Sequence, residues 1–168
     1  MRRRYRTDLY RNRINLIHKL IPNACIGVDV IVGFPGETDE EYQKTYDFIH
    51  GLNVSYLHVF TYSERPNTTA LRIKDVVPKK VREERNKKLR ILSHKKKKAF
   101  YQSQMGMAKE VLFEADEDGG YMNGFTENYV KVKTPYNPGF VNTIQSVELS
   151  EIDRDGIFKV KLLAPAYA

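Results

Sequence analysis

A single cysteine, Cys25, stands in the 168 residues. One thiol makes no internal disulfide, and by itself it supplies neither an iron–sulfur cluster nor a structural zinc site. At the start of an apolar run, Cys25 reads as a buried structural residue. Also absent is any apolar run near the roughly 20 residues that a membrane-crossing helix needs. The basic start Met1-Arg2-Arg3-Arg4-Tyr5 is not followed by a signal-peptide core. No membrane partner is expected, and a cytoplasmic location is. No carboxylate pair, nucleophile–base triad or metal-ligand cluster is recognisable, so no catalytic residue and no metal ligand is assigned. The lone His58 on an apolar segment reads as a hydrogen-bonded structural residue before it reads as a base.

What is present is charge of one sign. Lys and Arg number 28 against 21 Asp and Glu, giving a formal +7 and a pI near 9.4. That balance favours polyanions, because each cation placed on a phosphate releases condensed counterions. Hydrophobic content of 41% with 29% charged residues is that of a folded chain rather than a disordered one.

Along the first half, helix and strand patterns alternate. Thr7 to Leu20 reads as a helix, with apolar residues at helical spacing (Tyr10, Ile14, Ile17, Ile21, and again Leu9, Leu16, Leu20) and Thr7 as the expected N-cap. Cys25 to Val32 is β-branched and almost continuously apolar, the pattern of a parallel strand buried on both faces. Gly33 to Thr38 (GFPGET) makes a tight turn, and Thr38 to Glu41 forms a capping box that opens a helix ending near Gly51. The turn lacks the Lys-Ser/Thr pair of a P-loop, so its glycines point to close packing or close approach to a ligand at a strand end. Val54 to Thr61 is a second strand. Two strands are too few to close a barrel, so residues 1–76 read as part of a larger parallel α/β structure.

From Pro78 to about Met105 a strongly basic helix is expected, the connector of residues 77–105. Beyond Gly106 the period becomes two. Glu110–Glu114, Gly124–Thr134 and Thr143–Leu163 alternate like strands, so residues 106–168 are expected to form a small antiparallel OB-like β-barrel. The expected fold class is thus α/β followed by all-β. Cationic residues beside Tyr121, Phe125, Tyr129 and Tyr136 form a combination suited to RNA.

In order, Met1–Tyr5, VDVIVGFPGETDEEY (Val28–Tyr42) and LHVFTYSERPNTTA (Leu57–Ala70) resemble the later part of the radical-SAM domain of methylthiotransferases. The segment from about Lys109 to Leu163 resembles their C-terminal TRAM domain. LHVFTYSERPNTTA and GFTENYVKV (Gly124–Val132) look most like the members acting on N6-threonylcarbamoyladenosine beside the tRNA anticodon. The resemblance implies the C-terminal portion of a (β/α) barrel, a basic linker helix and an RNA-binding barrel. It also implies S-adenosylmethionine (SAM) and [4Fe–4S] clusters as cofactors of a longer parent protein. In the family a cluster on a CxxxCxxC motif cleaves SAM to a radical that leads to 2-methylthiolation. Those cysteines, and the earlier strands of the barrel, are not in this chain, which is therefore expected to be inactive alone.

By position in the motifs, the resemblance assigns Ile31, Val32, Gly33 and Glu37, with Phe60 and Tyr62, to the SAM pocket, and Arg3 to the SAM carboxylate or a phosphate. The tRNA anticodon stem-loop is the expected partner, met by Lys95, Lys96, Lys97 and Lys98 on the helix and by Tyr129, Lys131 and Lys133 on one face of a barrel strand. The alternatives are the isopentenyladenosine-tRNA branch, the ribosomal-protein branch, and a non-catalytic RNA-binding adaptor.

Overall fold

The computed structural model describes residues 6–163. The chain divides into two compact units, residues 1–97 and 98–168.

The first unit runs α1 (Thr7–Leu20), β1 (Gly27–Val32), α2 (Asp39–His50), β2 (Tyr56–Thr61) and most of α3 (Lys79–Ser103), with a 3-10 turn at Thr69–Arg72. Arg6, not Thr7, takes the N-cap position of α1, with no side-chain cap bond. Thr38 does cap α2, its Oγ1 accepting from Glu41 N at 3.2 Å.

β1 and β2 pair in parallel, Ile31 opposite Phe60 and Asp29 opposite His58. One face is closed: Val28, Val30, Val32 and Leu57 are buried with Ile14 of α1, Tyr42 and Ile49 of α2, and Leu89 and Leu92 of α3. The other face is open, so β1 is half-buried and alternating where its apolar run predicted burial on both sides. Among the described residues nothing covers that face, and Asp29, Ile31, His58 and Phe60 stand exposed on it.

The two sheet edges also differ. β2 is sealed by α3: Ser93 Oγ accepts from Leu57 N at 2.8 Å and donates to Leu57 O at 3.0 Å, and Asn86 Nδ2 donates to Val59 O at 3.1 Å. These side chains occupy ladder positions that a further strand would need. The other edge of β1 pairs with no strand among the described residues.

The second unit is a closed five-stranded barrel of β3 (Ala108–Asp118), β4 (Tyr121–Thr126), β5 (Lys131–Pro135), β6 (Ile144–Ile152) and β7 (Phe158–Leu162), in the order β3-β4-β5-β7-β6. It is mixed rather than antiparallel throughout, because β5 and β7 run parallel. Its core is Val111, Phe113, Met122, Val130, Val132, Val147, Leu149 and Phe158, closed by Tyr101 from the last turn of α3. The expected strand Gly124–Thr134 is interrupted between β4 and β5 by a turn at Thr126–Val130. There Thr126 Oγ1 accepts from Val130 N at 2.9 Å and donates to Asn128 Oδ1 at 2.7 Å. Tyr129 takes a left-handed backbone, φ 61°.

Candidate functional site

In open α/β sheets and (β/α) barrels, ligands lie at the carboxyl ends of the strands. Here those ends are Val32–Gly33 after β1 and Thr61–Tyr62 after β2, tied together by Tyr62 N donating to Val32 O at 2.8 Å. Ile31 and Phe60 sit opposite each other on the open face, 37% and 53% exposed. Val32 is fully buried and points the other way, so only its main chain can meet a ligand on that face. Tyr62 meets Phe34 edge-on, ring centroids 5.2 Å apart. Arg3 lies outside the described residues.

Glu37 departs from expectation. Its carboxylate turns inward, Oε2 accepting from Gly33 N and from Arg85 Nη1, each at 2.6 Å. In this position it locks the turn. Arg85 Nη2 also donates to Asp39 Oδ1 at 2.7 Å, and its guanidinium stands 5.3 Å from the Tyr42 ring. Burial works against the charge of Arg85, but the hydrogen-bonded carboxylates of Asp39 and Glu37 hold its pKa above the ordinary value. Burial pushes the Tyr42 phenol up to about 12, and its hydroxyl donates to Arg85 O at 3.1 Å. Arg82 makes a second cluster: Nε donates to Val77 O at 2.8 Å, Nη1 to Tyr62 O at 2.9 Å and Nη2 to Glu64 Oε1 at 2.6 Å. Arg82 and Arg85 are both buried. The charge density of the helix hid them; the signal available was their phase, since Arg82, Arg85, Leu89, Leu92 and Lys96 follow one helical stripe.

The α3 lysines fall into two groups. Lys95, Lys97 and Lys98 are exposed. Lys96 is spent on capping, its ammonium donating to His50 O at 3.1 Å and Leu52 O at 2.7 Å where α2 ends, and burial pushes its pKa down.

On the barrel, Tyr129 does not share a strand face with Lys131 and Lys133 as its alternation predicted; it sits in the turn, 76% exposed. Lys131 and Lys133 do lie on one side of β5, alternating with buried Val132 and Thr134. Lys133 forms an ion pair with Asp153 and stands 5.3 Å from the Tyr121 ring. An outward row runs across three strands, Ile144 beside Leu112 beside Phe125, with Lys131 next in register on β5. The Tyr129 ring lies 6.3 Å from Phe125. Alternation places Leu112 and Phe125 outward, but the row does not show in a pattern that runs Phe125 and Lys131 into one strand, Gly124–Thr134.

The cofactors implied by the motifs fit unequally. The apolar pair Ile31–Phe60 beside the strand ends suits a flat, weakly polar ring such as adenine. An iron–sulfur cluster does not fit: among the described residues no group of three or more His, Cys, Asp or Glu could hold a metal. Burial also raises the pKa of Cys25, disfavouring the thiolate a cluster needs.

The chain is 37% identical over 153 residues to the threonylcarbamoyladenosine tRNA methylthiotransferase MtaB of Bacillus subtilis (strain 168), covering 89% of this chain and 34% of that protein. It is 38% identical over 133 residues to the protein of the same name from Aquifex aeolicus (strain VF5), covering 79% of this chain and 31% of that one. The chain is homologous to the radical-SAM tRNA methylthiotransferases. A tRNA-2-methylthio-N(6)-dimethylallyladenosine synthase from Protochlamydia amoebophila (strain UWE25) is 32% identical over 151 residues, covering 89% of this chain and 34% of that protein. The chain therefore spans about a third of the length of the curated methylthiotransferases it matches. No family model matches it. Among the described residues no helix is long and apolar enough to cross a membrane.

Proposed function

We propose that the chain is the C-terminal portion of a radical-SAM tRNA methylthiotransferase that adds a methylthio group to N6-threonylcarbamoyladenosine beside the anticodon. The likeness to threonylcarbamoyladenosine tRNA methylthiotransferases over most of the chain carries this reading. Residues 6–76 then form the end of a (β/α) barrel, α3 the connector, and the barrel of β3–β7 a TRAM domain.

Three features support a barrel end whose earlier strands lie elsewhere in a longer protein. The face bearing Ile31 and Phe60 is open. β2 is sealed by Ser93 and Asn86 while β1 is not. On α1, Leu9, Leu16, Ile17 and Leu20 are exposed, as is Ile21 at its C-cap, apolar surface that a further packed element would bury.

Radical cleavage of SAM is the chemistry that a cluster held elsewhere in the longer protein would supply. This chain's part is to bind and orient: Ile31 and Phe60 give the adenine an apolar surface, and the main chain at Val32–Gly33 and Tyr62 fixes the strand ends beside it. The exposed lysines of α3 meet phosphates. On the barrel, Phe125 and Tyr129 offer rings to unpaired bases, with Lys131 beside them. With cluster ligands absent, the chain alone is expected not to cleave SAM.

The test uses the full-length, anaerobically reconstituted protein on anticodon stem-loops carrying either threonylcarbamoyladenosine or isopentenyladenosine, read by mass spectrometry. Gain of one methylthio group on the first substrate is expected. Modification of the second alone moves the protein to the isopentenyladenosine branch, which the 32% identity to a dimethylallyladenosine synthase favours as the second reading. Modification of neither, with tight stem-loop binding retained, leaves the RNA-binding adaptor.

A further inference from the structure

α3 was expected to present its cations to RNA, yet two of its arginines are the most enclosed charges of the α/β unit. Arg82 has 9% of its side chain exposed and Arg85 7%. The contacts of Arg82 are all at strand ends and loops. Its three donors reach Tyr62 O after β2, Val77 O before α3, and the Glu64 carboxylate. Its guanidinium lies 5.5 Å from the Tyr62 ring. Its aliphatic stem presses on the turn after β1 so closely that a Cβ at Gly33 would lie 2.3 Å from Arg82 Cγ.

We propose that Arg82 is a positioning residue for the adenosyl pocket, one side chain setting the spacing between the ends of β1 and β2 against which the adenine rests. This rests on the reading of those strand ends as the SAM site. Guanidinium geometry suits the task, since its planar fork bridges three acceptors at fixed angles, whereas a lysine ammonium on a flexible stem does not. Arg85 completes the frame from the other side, holding Glu37 so that its carboxylate keeps Gly33 N in place. The apolar core lies elsewhere, along the bodies of β1 and β2 and against Leu89 and Leu92. Loosening Arg82 therefore changes the strand ends more than the fold. Ser93, which bonds the body of β2, does the opposite.

The experiment measures SAM affinity of the full-length protein by equilibrium dialysis with labelled SAM, alongside thermal unfolding, for Arg82→Gln, Arg82→Lys, Glu64→Gln and Ser93→Ala. Arg82→Gln is expected to weaken SAM binding about tenfold in a protein that still unfolds cooperatively. Arg82→Lys should recover part of the loss, Glu64→Gln should weaken binding less, and Ser93→Ala should lower the melting temperature with affinity unchanged. A folded Arg82→Gln protein with the original affinity overturns the proposal. So does unaltered affinity in Glu64→Gln if Arg82→Gln fails to fold. No SAM binding by the unsubstituted protein instead overturns the pocket reading, and the role of Arg82 with it.

Discussion

A methyl group at position 33 would meet Arg82 Cγ and would also force alanine into a φ of 78°, a region that L-residues avoid. Gly33→Ala is accordingly expected to destabilise the α/β unit by more than about 1 kcal/mol, seen as a lower midpoint in urea. Lys131 and Lys133 lie two residues apart, yet charge reversal should separate them. Lys131→Glu is expected to weaken tRNA binding and reduce the slope of affinity against salt by about one. Lys133 is held by Asp153, so Lys133→Glu is expected mainly to lower barrel stability. Asp153 also accepts from Asp155 N and Ile157 N, each at 2.9 Å, fixing the turn between β6 and β7. Burial alone would raise the Asp153 pKa, but the hydrogen bonds from Lys133 and these amides leave it lowered. A carboxyl whose pKa is depressed on folding stabilises above its unfolded value, about 3.9, and loses that contribution as pH falls through the folded value. Asp153→Asn should therefore flatten the acid side of the barrel's stability curve, read by circular dichroism below about pH 4.

At the scale of elements, the sequence showed what periodicity can show. The alternation of α1, β1, α2 and β2, the capping box at Thr38, and the change of period after α3 were legible, because each rests on local pattern. The turn that splits β4 from β5 was not. It has no glycine at its left-handed position; Tyr129 sits there, its N donating to Thr126 O at 3.0 Å, in a turn that the Thr126 hydroxyl braces through Asn128 Oδ1 and Val130 N. Replacing Tyr129 by Gly should relieve about 1 kcal/mol of backbone strain while weakening RNA binding if its ring meets a base. The combination of a raised melting temperature and a poorer dissociation constant would identify a residue kept for contact rather than for folding. Of the candidate site, the motif positions Ile31, Gly33, Phe60 and Tyr62 came from the sequence. The inward turn of Glu37, the capping role of Lys96 and the two buried arginines did not, because a string of Lys and Arg does not say which members face solvent.

Charge is distributed unevenly over the whole molecule. Residues 1–97 carry 21 Lys and Arg against 11 Asp and Glu, while residues 98–168 carry seven against ten. The formal excess of +7 is thus owed entirely to the first unit, and the barrel is by itself acidic. Counterion release on tRNA binding should accordingly follow the α/β unit and α3. Neutralising Lys87, Lys88 and Lys95 together is expected to reduce the salt slope by about one for each lysine that meets a phosphate, whereas the barrel contributes through rings more than through charge.

The unequal edges of the small sheet bear on how copies of this chain can associate when nothing else covers them. A strand edge already occupied by Ser93 and Asn86 cannot recruit a neighbour, so strand pairing by the two-stranded sheet is open to β1 alone among the described residues. Two copies joined through β1 about a two-fold axis leave only sealed edges outward, and growth stops at the pair. Sedimentation at rising concentration should find a dimer before any larger species, the behaviour of a sheet whose outer strand β2 acts as a stop codon written in hydrogen bonds.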